Sequence, residues 1–272
     1  MSESSELSPE RLKELESRIQ PVKLTPKILS MLVYGRSGTG KTTFAGTFPK
    51  PLLILDVNEI GTDSISNVEG IDVVRVREWS DFEDLYWYIK SKEGYYKTVV
   101  IDQVSSMQEM ACAQAMLDKD KTQMSQQLWG IAGGYMKTWL VNYRNLTDDG
   151  INVLFIAHDR TTKGDEDSSA EDQIDPSIGP RVMPSVATLL NGAVKVIAQS
   201  FIREYFDDEH DRKIEFCHRI APHPYFITKM RNPPGTSIPE AVVNPTYDMV
   251  LSLMTSGNQP KIRRKVNAEA QS

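Results

Sequence analysis

From Lys27 onward, short unbroken apolar runs alternate with stretches in which apolar residues recur every three or four positions. The runs lie at 28–34, 51–56, 71–76, 97–102 and 152–158. Each has the length of a strand, and the lack of polar alternation suits strands covered on both faces of a parallel sheet. Helical patterns occupy about 41–47, 80–92, 103–118 and 134–147; in the last, Met136, Trp139, Leu140, Tyr143 and Leu146 mark one core face. This alternation predicts an α/β fold with a mostly parallel, doubly wound sheet. Later runs at 194–199, 201–205, 214–218 and 225–229 are shorter and read as antiparallel strands extending the sheet on its C-terminal side. Residues 159–184 lack periodicity and are rich in Asp, Ser, Gly and Pro, which predicts a long loop of the functional or disordered kind. Ahead of the domain, Ser8-Pro9-Glu10 starts a helix whose Leu12, Leu15 and Ile19 share a face. Residues 1–24 thus form a helical arm, expected to pack on the body, and 256–272 a flexible basic tail.

Composition narrows the class without choosing a function. The 272 residues are 40% hydrophobic and 25% charged, which excludes wholesale disorder, collagen and coiled coil. No run approaches the ~18 apolar residues of a membrane span, and the acidic start does not suit a signal peptide. Cys112 and Cys217 are too few for a disulfide framework or a four-thiolate zinc site. A soluble cytoplasmic protein with no membrane partner is expected. Of the net charge of −6, residues 159–175 carry −5, from seven acids (Asp159, Asp165, Glu166, Asp167, Glu171, Asp172, Asp175) against Arg160 and Lys163. The remaining body is nearly neutral and can still present a basic face.

One motif carries the chemistry. Gly35, Arg36, Ser37, Gly38, Thr39, Gly40, Lys41 and Thr42, followed by Thr43, fit G-x-x-x-x-G-K-[ST] in full, after a strand and before a helix. The glycines let backbone N–H groups and a helix N-terminus face a phosphate. Lys41 is expected to reach the β- and γ-phosphates, and the Thr42 hydroxyl to bind Mg²⁺, so the expected cofactors are ATP and Mg²⁺. Asp102 ends an apolar strand, where a second carboxylate for the metal belongs; the alternative is a cap on the following helix. Many AAA+ machines place a Glu directly after this Asp to polarise water. Here the neighbour is Gln103, a poor base, so the base must come from elsewhere. The end of the second strand, Leu55-Asp56-Val57-Asn58-Glu59, emerges beside the phosphate loop at the carboxyl edge where α/β ligands bind.

With GRSGTGKTT at 35–43, LDVNE at 55–59, VVIDQVSSM at 99–107, VLFIAH at 153–158 and the shorter TKMR at 228–231, the chain resembles the RecA-like ATPases. It is nearest to phage-encoded P-loop proteins of the single-strand annealing and recombinase type, the Sak group, over roughly residues 28–235. The resemblance implies a RecA-like P-loop NTPase domain over 25–255, Mg²⁺-dependent ATP hydrolysis that is slow or DNA-stimulated, and single-stranded DNA as partner. It further implies a homo-oligomeric ring or filament, a single-strand-binding protein as a further partner, and the cytoplasm of a bacterial host. Position by position, Glu59 or Asn58 is the counterpart of the water-activating Glu; Asn cannot take a proton, which favours Glu59. His158 stands where relatives sense the γ-phosphate, with a core-bonded strand-end His as the plain alternative. Lys229 and Arg231, two apart on a strand and so on one face, resemble the paired cations that reach the neighbouring subunit's γ-phosphate. The loop 159–184 takes the place of the DNA-contacting loop, but its acidity departs from that role, since phosphates need Lys and Arg. Arg160, Lys163 and Arg181 are its only cations; Lys195 and the tail's Lys261, Arg263, Arg264 and Lys265 are further candidates.

Three other readings compete. A small-molecule kinase would need an Arg-rich lid, and the lid-like segment is acidic. A GTP switch would need an Asn/Thr-Lys-x-Asp guanine motif, and none stands in a suitable place. A partner-loading ATPase without DNA contact fits the acidic net charge.

Overall fold

The computed structural model describes residues 7–19, 21, 27–59, 61–162 and 177–256. In chain order its elements are helix α1 (Pro9–Arg18), β1 (Ser30–Tyr34), α2 (Lys41–Ala45), β2 (Leu52–Asp56), β3 (Ile71–Arg75), α3 (Asp81–Ser91), β4 (Thr98–Asp102), α4 (Val104–Asp118), α5 (Gln126–Asn145) and β5 (Asn152–Ala157). There follow β6 (Asp159–Thr162), β7 (Ser177–Pro180), α6 (Pro184–Ala193), β8 (Val196–Phe206), β9 (Arg212–Arg219), β10 (Lys229–Met230), β11 (Ala241–Val243) and α7 (Tyr247–Ser256).

Nine strands form one sheet in the order β11-β9-β8-β1-β5-β4-β2-β3, with β10 also paired to β8. The strands from β8 across to β3 run parallel, and β9, β10 and β11 are added antiparallel. This is the α/β, mostly parallel architecture expected, extended by antiparallel strands. β1, β2, β4 and β5 are buried along their whole length because helices cover both faces. Leu32 and Tyr34 of β1 cluster with α3, α4, α5 and α6, whereas Met31 and Val33 cluster with α2 and α7. Each such side chain contributes about 1.5–3 kcal/mol by leaving water. β3, the edge strand, keeps Val73 exposed.

Several expectations need correction. The first half of β8 is parallel to β1, Met31 facing Val196 and Tyr34 facing Gln199, rather than antiparallel. Parallel entry needs a crossover, and α6 supplies it in the stretch between the expected loop and the expected strand, where no element was expected. Only Val186 and Leu190 of α6 are buried, too sparse a pattern to register behind Pro180 and Pro184. The loop 159–184 opens and closes as a ribbon, β6 antiparallel to β7; its centre, 163–176 with Lys163, lies outside the described residues. β8 runs unbroken through both expected strands. The strand expected at 225–229 is reduced to Lys229–Met230, while Phe226 instead bridges Ile178 at the ribbon. α5 starts at Gln126, behind Ser125, whose hydroxyl caps Leu128 N–H, eight residues before the expected start, despite Gly130, Gly133 and Gly134. Finally, none of the residues of α1 is buried, and Leu12 and Ile19 are exposed. The tail cations Lys261, Arg263, Arg264 and Lys265 lie outside the described residues.

Candidate functional site

The phosphate loop leaves β1 at Gly35, whose N–H donates to Ala157 O of β5 at 3.2 Å, and closes at Gly40, the residue before α2. Gly40 has φ +80, a conformation an L side chain adopts only with strain, and a Cβ there would stand 3.0 Å from the Phe216 ring. Ser200 of β8 anchors the loop by donating to Thr39 O at 2.8 Å. Lys41 folds back over it, Nζ donating to Gly35 O at 2.9 Å and Arg36 O at 2.7 Å. Burial lowers the Lys41 pKa, while Asp102, Asp159 and Glu59 act in the opposite direction. Arg36, Ser37, Gly38 and Thr43 complete the loop, and a cavity of about 280 Å³ opens over it.

Asp102, at the end of β4, accepts the Thr42 hydroxyl at 3.0 Å. Burial pushes its pKa up to about 6; the Thr42 bond and Lys41 hold it down, and Glu59 and Asp56 raise it. A hydroxyl and a buried carboxylate this close form an oxygen pair of the kind Mg²⁺ takes, and a divalent ion would relieve the buried charge. The residues fit the metal.

Glu59 and Asn58 are separated by the local turn. Asp56 Oδ1 accepts the Glu59 N–H at 2.8 Å, Asn58 at the apex has φ +61 and is exposed, and Glu59 turns into the cavity. The side chain of Gln103 ties this edge together. Its Nε2 donates to Glu59 Oε1 and, at 2.7 Å, to His158 Nε2, while its Oε1 accepts His158 N–H at 3.1 Å. Glu59 Oε1 lies 3.4 Å from the same ring nitrogen. A residue that cannot serve as base is thus the bracket that positions the two groups beside it, a role its chemistry alone did not signal.

The ribbon begins one residue after His158, and Arg181 N–H donates to His158 O at 2.7 Å. Arg160 is exposed on β6, and Arg181 pairs with Glu109 at 3.5 Å. Beside them is a groove lined by Trp129, Gly130, Arg160, Met183 and Pro184. Trp129 is an exposed aromatic on the part of α5 that the periodicity missed. Lys195 is elsewhere: at the start of β8 it donates to Ile28 O at 2.6 Å. Lys229 and Arg231 also lie at that opposite edge of the sheet. They share a face as expected, Lys229 donating to Asn191 O and Arg231 to Gly192 O at 2.9 Å, so both cations cap the C-terminal end of α6. Neither lines the cavity over the phosphate loop.

The family model for the AAA domain matches residues 27–231, and the chain belongs to that family. Compared with curated protein sequences, the chain has no match. Among solved structures it is similar to a KaiC-like protein of the hyperthermophilic archaeon Pyrococcus horikoshii, with 14% identity over 80% of this chain and 89% of that one and a TM-score of 0.42. It is also similar to the genome-packaging NTPase B204 of Sulfolobus turreted icosahedral virus 2 in complex with ATP-gammaS (11% identity, 68% and 79% covered, TM-score 0.31). The pilus retraction motor PilT with bound ADP is a third (12% identity, 72% and 50% covered, TM-score 0.27). Among the described residues, no helix is long and apolar enough to cross a membrane.

Proposed function

We propose that this AAA-domain chain is a Mg²⁺-dependent ATPase of the RecA-like type that acts on single-stranded DNA, in annealing or recombination of the kind its phage-encoded look-alikes suggest. The observation that carries the reading is the convergence of Lys41, the Thr42–Asp102 pair and the Glu59–Gln103–His158 bracket on one cavity. Thr42 and Asp102 would hold Mg²⁺, which when bound neutralises charge on the phosphate oxygens. Lys41 supplies a buried cation whose hydrogen bonds go to loop carbonyls until an anion competes for them. Glu59 is the carboxylate positioned to take a proton from water, with Gln103 fixing its orientation. His158, held on its backbone N–H by Gln103 and by Ser105 Oγ at 3.1 Å, links that edge to the ribbon. Arg160, Arg181 and Trp129 provide phosphate-pairing and base-stacking groups beside it. Lys229 and Arg231 would act in a homo-oligomer, from one subunit onto the next one's site.

ATP hydrolysis by the full chain, with and without single-stranded DNA at about 50 and about 200 mM salt, tests this. Turnover stimulated by DNA and losing that stimulation as salt rises is expected, with Lys41→Ala inactive. Turnover indifferent to DNA at both salts would refute the DNA role and favour the partner-loading reading, for which the net charge of −6 speaks. Unaltered turnover in Lys41→Ala would refute the site.

A further inference from the structure

The nucleotide cavity has one wall made of a different material. Phe216 lines it from β9, which lies two strands from β1 on the side away from β5, β4 and β2. Those three strands deliver His158, Asp102 and Glu59. The phosphate chemistry is therefore on one flank of the loop and an aromatic ring on the other. The ring lies against the loop itself: a Cβ on Gly40 would meet Phe216 Cδ1 at 3.0 Å and Cγ at 3.3 Å, where α2 begins. It nevertheless stays 41% exposed. Ile202, its cross-strand partner, and Ile214, two residues along the same strand and so on the same face, are 40% and 51% exposed. Together they extend the ring into an aliphatic ledge.

An exposed phenylalanine alone is ordinary. This one shares a cavity with a phosphate loop and stands on the flank opposite the reacting end, where the remainder of a nucleotide must go. We propose that Phe216 is the nucleobase platform of the site, with Ile202 and Ile214 bordering it. The inference rests on the nucleotide reading above and adds which part of the ligand the hairpin of β8 and β9 holds. Every base offers a π-face, so the platform selects for a flat ring rather than for one base, and its loss should weaken binding roughly 5- to 150-fold.

The test measures binding of ATP and of inorganic tripolyphosphate, both with Mg²⁺, to the full chain and to Phe216→Leu, Phe216→Trp and Lys41→Ala. Leucine keeps an apolar contact on Gly40 but has no ring. The expected result is that Phe216→Leu loses about fivefold or more in ATP affinity with tripolyphosphate unchanged, while Phe216→Trp retains ATP. Lys41→Ala should weaken both ligands. Equal losses for ATP and tripolyphosphate in Phe216→Leu would overturn the proposal, because the ring would then only brace the loop. Unchanged ATP affinity in that variant would overturn it too. Failure of the wild-type chain to bind either ligand would refute the nucleotide reading instead, and this proposal with it.

Discussion

His218 lies beneath the phosphate loop, 1% exposed, with the Phe44 ring edge-on at 4.5 Å and no partner for its Nδ1. Burial, aided by the charge of Lys41, brings its pKa down to about 3. The unfolded chain holds this proton below the ordinary value near 6.5, whereas the folded chain refuses it until about pH 3. Stability is therefore complete above pH 6.5 and falls as pH drops from there toward 3. Integrated from pH 8 to pH 4, the displaced pKa amounts to about 3 kcal/mol, a large part of the ~5–15 kcal/mol that holds a domain together. His218→Gln keeps a polar side chain of similar reach but removes the titration. Urea unfolding of both proteins at pH 8 and pH 4, without nucleotide, isolates the effect, since every other titrating group contributes equally to both. The variant should lose about 3 kcal/mol less than the wild type between the two pH values. Equal losses, within about 1 kcal/mol on that scale, would refute the claim that a neutral imidazole is trapped under the loop.

Glu59→Gln should bind ATP and lose about 10²–10⁴ in single-turnover hydrolysis; an unchanged rate would move the base elsewhere. Asn58→Glu, on the exposed apex of the same turn, should leave the rate as it is, and a gain would show that the register of the motif is wrong. Thr42→Val should raise the Mg²⁺ concentration for half-maximal turnover by about tenfold or more, checked by metal titration. Inactive Lys41→Ala subunits mixed with inactive Arg231→Ala subunits should partly recover turnover if the cations act across an interface. No recovery in proven mixed assemblies would count against that role.

The parallel half of the fold could be read directly, because β1, β2, β4 and β5 are buried on both faces and so lack any polar interruption. The phosphate loop was legible for the same local reason: its chemistry is contiguous. What escaped reading depends on partners distant in sequence. α6, which opens on Pro184, is held by only two buried side chains, and the first two turns of α5 are diluted by glycines, one of which, Gly133, admits Met183 so closely that a Cβ would stand 3.2 Å from its sulfur. Trp129 went unread with those turns. Phe216 and His218 belong to one alternating run, Ile214-Phe216-His218, whose inward end is a core and whose outward end is a surface. Nothing in the run itself reveals that a phosphate loop lies against it. In the sequence, the preference for Glu59 over Asn58 rests on proton chemistry alone; the turn capped by Asp56, which faces Glu59 into the cavity, could not be read there.

The attachment of Lys229 and Arg231 to the end of α6 has a mechanical corollary. α6 is the bar between the ribbon that follows His158 and the strand that anchors Thr39, and these two cations are the latch on its far end. A neighbouring subunit that drew them onto its own phosphates would have to unfasten Asn191 and Gly192 first. Assembly would then loosen the bar that carries the ribbon, so subunit contact and ribbon position would be set by one competition for the same two side chains.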